Sequence, residues 1–135
     1  MLDHISFSVK NYEQSLKFYD ETLQILGYKR IITIDIDDKI KCSGYGDDKK
    51  NRPSLWISPM GNESEEIGNA RGVHISFVAH SCEEVIAWYQ KCLEFGAKDN
   101  GKPGPRPEYH DGYFGAFVVD PNGWRIEASF QHYGG

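Results

Sequence analysis

Two segments of the chain alternate between apolar and polar residues, and both begin with the same four letters. The first is HISFSV at 4–9, and the second is HISFVA at 74–79. A period of two is typical of a β-strand that buries one face and leaves the other face open. Because self-similarity indicates an internal duplication, the pattern predicts two copies of one module.

A helical pattern follows each of these strands. Apolar residues recur at helical spacing in 16–25 and again in 85–95, so each helix is expected to pack one stripe against a sheet. Both helices carry residues that are typical of helix starts and stops. These residues are Asn11 and Ser81 with Glu84 at the starts, and Gly27 and Gly96 at the ends.

Three further strands are predicted in each half. They are YKRIITIDI, KIKCSGYG and PSLWISP in the first half, then AKDN, YFGAFVV and WRIEASF in the second, with a DPNG turn joining the last two. The order is βαβββ followed by βαβββ, which predicts an α+β fold. We expect 1–135 to form a single domain, with module one at about 1–60, a linker at 61–71 and module two at about 72–135.

Composition narrows the class of partner. The net charge is −5, the pI is about 5.5, and no long stripe of Lys and Arg is present, which argues against nucleic acid and anionic membranes. No apolar stretch approaches the roughly 18 residues of a membrane span, and the start MLDHISFSV lacks the features of a secretory signal. The three cysteines form no C-x-x-C pair, which favours reduced thiols. We therefore expect a cytoplasmic protein.

Strand parity predicts where the ionisable residues point. His4, His74 and Glu127 each share a strand face with serine residues, opposite an apolar face. Short serines leave room beside ionisable groups, so these faces are expected to line a concave cup. If the two modules lie side by side, the two imidazoles and the carboxylate meet as a ligand set for one divalent metal ion, Fe(II), Zn, Ni or Mn. Taken singly, each histidine is equally well explained as a hydrogen-bonded strand residue.

Other residues are candidates for binding a substrate. Trp56, on the polar face of its strand, is a candidate wall for a planar ligand. The Pro/Gly-rich stretch 101–114 precedes the strand that leads to Glu127, and it is either a lid or a connector. Its candidate side chains are Arg106 for an anionic group, and Tyr109, His110 and Tyr113 as proton donors.

The chain resembles the vicinal oxygen chelate superfamily, also called the glyoxalase/bleomycin resistance protein/dioxygenase family. The resemblance rests on the tandem modules, the histidine that leads each half, FYDETLQILGYK and the final GAFVVDPNGWRIEA, and it covers essentially the whole chain. It implies a U-shaped mixed sheet around a metal whose open positions chelate vicinal oxygens of a small-molecule substrate. It also implies His4, His74 and Glu127 as the metal ligands, with Glu127 as the candidate catalytic carboxylate.

The chain departs from glyoxalase I at one position. The fourth protein ligand of that enzyme, an acid in the last strand of the first module, falls on Trp56, and no residue from 53 to 59 is Asp, Glu, His or Cys. The remaining ligand set is similar to that of extradiol dioxygenases. The resemblance therefore implies a metal-dependent enzyme: a lyase similar to lactoylglutathione lyase, an isomerase, or an extradiol-type dioxygenase.

A metal-free binding module is the alternative function. Antibiotic-sequestering members of the family, including bleomycin resistance proteins, hold a planar ligand in an aromatic-lined cup. Trp56, Tyr45 and Tyr113 would line such a cup in this chain. The resemblance also implies a homodimer, because many relatives pair modules from two chains.

Overall fold

The computed structural model describes residues 1–37, 39–60 and 72–134. The chain divides into two compact units, Met1–Glu65 and Glu66–Gly135. The expected linker at 61–71 lies outside the described residues, and a single domain stays a prediction. Among helices in the described ranges, none is long and apolar enough to cross a membrane.

In the described ranges, each unit contains one helix and one four-stranded sheet. The elements of the first unit are β1 (Ile5–Val9), α1 (Tyr12–Ile25), β2 (Tyr28–Ile36), β3 (Ile40–Asp47) and β4 (Leu55–Pro59). Those of the second unit are β5 (Ile75–Val78), α2 (Cys82–Glu94), β6 (Lys98–Pro105), β7 (Phe114–Val119) and β8 (Arg125–Phe130). The order βαβββ occurs twice, which confirms the α+β fold class.

The two sheets have the same mixed topology. The strand order is β1-β4-β3-β2 in the first sheet and β5-β8-β7-β6 in the second. In each sheet the first strand pairs in parallel with the last, and the other pairs are antiparallel. A parallel pair needs a long connection, which the helix and two intervening strands provide. In the second unit this pairing sets Ser76 of β5 opposite Glu127 of β8.

One helix covers the apolar face of each sheet. The side chains of Asn11 and Ser81 each accept a hydrogen bond from the backbone N–H three residues later, at 3.0 and 3.1 Å, as their capping role predicts. Gly27 and Gly96 end the helices with φ of +87° and +98°, where a side chain would be strained. The buried core includes Val9, Leu16, Tyr19, Leu23 and Ile57 in the first unit, and Val85, Trp88, Cys92, Val118 and Ile126 in the second.

The strand β6 is longer than its sequence pattern predicts. AKDN alone reads as a strand, with a lid or connector from 101 onward, whereas β6 runs from Lys98 to Pro105. Its prolines are tolerated because β6 lies at the edge of the sheet, where one side of the backbone has no strand partner among the described residues. The first part of the expected loop is therefore part of the sheet.

The DPNG turn between β7 and β8 is confirmed. Asp120 Oδ1 accepts hydrogen bonds from the backbone N–H of Asn122 at 2.9 Å and of Trp124 at 2.8 Å. Aspartate commonly forms turns in this way, by bonding the backbone that follows it. The turn fixes the antiparallel register that sets Phe117 of β7 opposite Glu127 of β8.

Candidate metal centre

Glu127 is a buried carboxylate on β8. The residue is only 1% exposed, although its sequence pattern predicts an open polar face. Neighbouring strands bring two polar groups to it: the hydroxyl of Tyr113, which precedes β7, and the imidazole of His74, which precedes β5. Because an isolated buried carboxylate is costly, these two contacts stabilise Glu127 in its place.

His74 contacts one oxygen of this carboxylate. Its Nε2 lies 2.9 Å from Glu127 Oε1, which is hydrogen-bond distance, and the Nε2–H tautomer of the ring would donate to that oxygen. The His74 ring packs edge-on against Phe117, with 5.7 Å between the ring centroids. The His74 side chain is nevertheless 44% exposed, so the imidazole is held from the sheet side and open on the other side.

Tyr113 contacts the second oxygen. Its hydroxyl donates to Glu127 Oε2. Burial, followed by the hydrogen bond to Glu127 and the charge of that carboxylate, raises the pKa of Tyr113 to about 12, so the phenol remains a donor at neutral pH. Gly115 makes room for this contact, since a Cβ at that position would lie 3.0 Å from both Glu127 Oε2 and Tyr113 Cε1.

Tyr109 and His110 pack around Tyr113. Their rings stand edge-on to the Tyr113 ring, with centroid distances of 4.9 and 5.5 Å. His110 Nδ1 accepts a hydrogen bond from Gly112 N at 3.0 Å, so its Nε2 is the protonated nitrogen and donates to Gln131 Oε1 at 2.6 Å. Both ring nitrogens of His110 are therefore engaged, while Tyr109 is mostly exposed. Their roles toward a substrate stay predictions.

Arg106 packs against Phe117, the residue that also contacts His74. Its guanidinium carbon lies 5.6 Å from the centre of the Phe117 ring. Its Nη1 and Nη2 donate to the backbone carbonyls of Pro105 and Lys102, at 3.2 and 2.6 Å. A Cβ at Gly104 would come within 3.2 Å of Nη1, so the glycine lets the guanidinium lie against the strand.

His4 leads β1 in the first unit and is paired with a carboxylate. Its Nδ1 lies 2.6 Å from Asp3 Oδ1, and Asp3 Oδ2 accepts a hydrogen bond from Arg52 at 2.6 Å. The hydrogen bond with His4 and the charge of Arg52 lower the pKa of Asp3. In the tautomer of His4 that carries its proton on Nδ1, Asp3 accepts that proton in a hydrogen bond. The Nε2 of this tautomer has a lone pair that can bind a metal. The sequence pattern did not single out Asp3, although its place directly before His4 is a usable signal.

Trp56 lines a cavity of about 330 Å³ on the sheet face of the first unit. The indole lies beside Gly44, where a Cβ would come 3.1 Å from Trp56 Cη2. The rest of the lining consists of small, apolar or ionisable side chains, which are His4, Ser6, Ile34, Cys42 and Ser58. The cavity thus offers a planar wall close to a potential metal ligand.

Tyr45 does not line this cavity. The residue is 1% exposed, and its hydroxyl donates to Asp20 Oδ1 at 2.9 Å and to the Leu16 carbonyl at 3.3 Å, both on α1. Burial and the charge of Asp20 raise the pKa of Tyr45 well above its usual range. The prediction that Tyr45 lines a ligand cup is wrong, because alternation along β3 turns it toward α1, away from the face of Cys42.

The donor pair at Glu127 fits a divalent metal ion. Two ligand atoms that lie about 2.1 Å from one ion, at right angles, are about 3.0 Å apart, and Nε2 of His74 lies 2.9 Å from Glu127 Oε1. Imidazole and carboxylate also suit Fe, Mn, Zn and Ni. Within the described ranges, no three His, Cys, Asp or Glu side chains form a group that could hold a metal. The structure therefore brings together two of the predicted ligands, and His4 stays a predicted third.

Two comparisons of the sequence place it among known proteins. The model of the Glyoxalase/Bleomycin resistance protein/Dioxygenase superfamily matches residues 1–128. A curated protein described as a probable lactoylglutathione lyase, from Synechocystis sp., is 28% identical over 127 residues, which cover 92% of this chain and 90% of that protein.

Solved structures share the fold. A glyoxalase/bleomycin resistance protein from Albidiferax ferrireducens T118 has a TM-score of 0.75 and 25% identity, over 96% of this chain and 98% of that one. Glyoxalase I from Zea mays has a TM-score of 0.72 and 23% identity. That match covers 95% of this chain but 45% of the maize chain, so this chain spans less than half of that enzyme.

Proposed function

The chain belongs to the glyoxalase/bleomycin resistance protein/dioxygenase superfamily, and we propose that it is a metal-dependent enzyme acting on a small molecule with vicinal oxygens. The observation that carries this proposal is the buried Glu127 carboxylate with His74 Nε2 at 2.9 Å. A buried carboxylate beside a partly open imidazole is a donor pair that a divalent cation would stabilise.

His74, Glu127 and His4 would hold the ion. The hydroxyl of Tyr113 occupies Glu127 Oε2, so Oε1 is the oxygen presented together with His74 Nε2. His4 would contribute Nε2, with Asp3 fixing the tautomer through Nδ1. We propose that this third ligand comes either from the same chain or from the second copy in a homodimer.

A bound divalent ion would supply Lewis-acid stabilisation of charge that develops on adjacent substrate oxygens. The side chains of the protein would then orient and protect the reacting group. Tyr113 restricts rotation of the Glu127 carboxylate, and burial shields that carboxylate from water. Glu127 is the candidate catalytic base, because Oε1 is its oxygen on the side of the partly open His74 imidazole.

Lyase chemistry is our first choice of reaction. It is supported by the Synechocystis relative, which is described as a probable lactoylglutathione lyase. The lack of an acid in 53–59 argues that any proton transfer uses fewer carboxylates than in glyoxalase I. An isomerase or an extradiol-type dioxygenase would fit the same two-histidine, one-carboxylate set.

A metal-free binding module is the second candidate. The observation that favours it is the cavity of about 330 Å³ beside Trp56. A planar ligand could lie against the indole there without any metal. In that case Trp56 would report binding through a change in its fluorescence.

Metal analysis separates the two candidates. The purified protein is loaded in turn with Fe(II), Zn, Ni and Mn, its bound metal is quantified, and it is assayed with hemithioacetals, catechols and epoxides. We expect one bound ion per chain and turnover with at least one metal, and we expect both to be lost in His74→Ala. The matched control is His132→Ala, which removes an exposed imidazole at the end of the chain. A protein that binds no metal but shows ligand-induced tryptophan quenching would instead be a binding module.

The remaining expectations also stay proposals. We propose a small-molecule partner, a homodimeric assembly and a cytoplasmic location. Light scattering after size-exclusion chromatography measures the mass of the particle, for which a homodimer predicts twice the 15.4 kDa of the chain.

A further inference from the structure

Arg106 differs in its partners from Arg30 and Arg52, which both form ion pairs. Arg30 pairs with Asp20 at 2.7 Å, and Arg52 pairs with Asp3 at 2.6 Å. Arg106 instead donates to two backbone carbonyls, and no carboxylate in the described ranges forms an ion pair with it. In a chain with 20 acidic residues and a net charge of −5, this is a cation that the described part of the fold leaves without a carboxylate partner.

The Arg106 guanidinium lies beside the contact between Tyr113 and Glu127. Gly104 of β6 is opposite Gly115 of β7, and neither carries a side chain on that face. The guanidinium of Arg106 occupies the space over Gly104, while the contact between Tyr113 and Glu127 occupies the space over Gly115. Because neighbouring strands are about 4.8 Å apart, the Arg106 guanidinium and the contact between Tyr113 and Glu127 are neighbours on one face of the sheet.

The Arg106 guanidinium is also fixed by the backbone and keeps N–H donors for a ligand. Its two backbone bonds use two of its five N–H donors, which leaves three donors for another partner. The guanidinium carbon lies 5.6 Å from the centre of the Phe117 ring, and the same ring packs against His74. A fixed guanidinium loses little conformational freedom on binding, and its fork matches the oxygens of a carboxylate or phosphate.

We propose that Arg106 binds an anionic group of the substrate, a carboxylate or phosphate that is separate from the two vicinal oxygens. The substrate of this site is then a small acid that carries a vicinal oxygen pair. This inference rests on the proposed function, since it places the anion one strand away from the contact between Tyr113 and Glu127. It makes Arg106 a specificity-determining residue, which selects acids over neutral molecules of the same skeleton.

Paired probes test this selectivity. Zinc-loaded protein is titrated calorimetrically with 3,4-dihydroxybenzoate and with catechol, then with glycerol 3-phosphate and with glycerol, so that each acid has a neutral counterpart. A hydrogen-bonded charge pair predicts that the wild type binds the acid of at least one pair roughly tenfold more tightly than its neutral counterpart. Comparing the two pairs tells a carboxylate site from a phosphate site. Arg106→Gln is expected to abolish the preference and leave zinc affinity unchanged.

Lys98→Gln is the matched control, because it removes one positive charge from the other end of β6. It should retain the preference if the effect comes from the guanidinium rather than from net charge. A wild type without any preference, or an Arg106→Gln variant that keeps it, would overturn the inference.

A second readout separates failure of this inference from failure of the proposed function. In the metal-free protein, the Arg106 Nε–H resonance in ¹H–¹⁵N spectra should shift with an acid probe and not with its neutral counterpart. If the protein binds no zinc but shows this shift, the proposed metal chemistry is refuted and the anion site is supported. If the protein binds zinc but shows neither the shift nor the preference, the metal chemistry is supported and the anion site is refuted.

Discussion

His74 Nε2 and Glu127 Oε1 lie 2.9 Å apart, which is the distance of a hydrogen bond with one shared proton. The same spacing suits two atoms that bind one cation, so a metal and this proton compete for one position. The carboxylate end of the pair is buried, and the imidazole end is partly open. The geometry therefore connects the proposed metal binding with the protonation of one named nitrogen.

The first prediction concerns that nitrogen. Without metal, Nε2 of His74 should carry a proton, because it donates to Glu127. Zinc should displace this proton, so that in the loaded protein only Nδ1 is protonated. Ring ¹⁵N spectra of His74 with and without zinc distinguish the two forms. A His74 Nε2 that stays protonated in zinc-saturated protein would mean that the imidazole is not a ligand.

The second prediction concerns the hydroxyl that holds the other carboxylate oxygen. Tyr113→Phe leaves Glu127 Oε2 without its donor and lets the carboxylate rotate. Groups that orient a ligand in this way commonly affect metal affinity by 10- to 100-fold, so we expect a loss of about that size. A competitive zinc titration measures it. Tyr109→Phe removes a mostly exposed hydroxyl next to the same ring and should leave the affinity unchanged; equal affinities in the two variants would refute the role of Tyr113.

The third prediction concerns His4. Asp3→Asn weakens the contact that fixes the His4 imidazole, so zinc affinity should fall by roughly tenfold if His4 is a ligand. Asp48→Asn is the control, since Asp48 pairs with Lys29 on the surface of the same unit. The same zinc titration serves for both variants. Unchanged affinity in Asp3→Asn would leave His4 without a demonstrated role in the site.

Local patterns were sufficient to predict the fold. The alternation in 4–9 and 74–79, the helix caps and the DPNG turn are all short-range signals, and the structure has the corresponding elements. The pattern failed at β6, where prolines and glycines read as a loop. An edge strand needs hydrogen bonds on one side only, so it accepts residues that a central strand excludes.

The site was predicted less completely, because parity gives the face of a side chain and not its neighbours. Parity placed Glu127 on the polar face but did not reveal its burial or its bond with Tyr113. That bond depends on Gly115, whose missing side chain matters only once β7 and β8 are paired. The aromatic character of Tyr45 suggests a ligand wall, whereas its place on β3 turns its hydroxyl to Asp20 of α1.

The fourth prediction concerns stability at alkaline pH. The pKa of Tyr45 is raised in the folded protein above its usual value of about 10, so the native state keeps a proton that the unfolded state loses. The free energy of unfolding should therefore fall as the pH rises above about 10, and Tyr113 contributes in the same direction. Urea unfolding between pH 8 and about 11.5 measures this slope.

Tyr45→Phe should make that slope shallower. At neutral pH it should also cost about 1 kcal/mol, because Asp20 loses a buried hydrogen-bond donor. Tyr133→Phe removes a more exposed phenol and should change neither quantity. A slope in Tyr45→Phe as steep as in the wild type would show that Tyr45 is not the group responsible.

Metal stoichiometry and affinity measured on one set of variants test the central claim most directly. Wild-type protein, His4→Ala, His74→Ala and Glu127→Gln are stripped of metal and titrated with zinc, with circular dichroism as the check on folding. We predict one ion per chain in the wild type and at least a tenfold loss of affinity in each folded variant. A wild type that binds no zinc, or three folded variants that bind it as tightly as the wild type, would contradict the proposed metal centre.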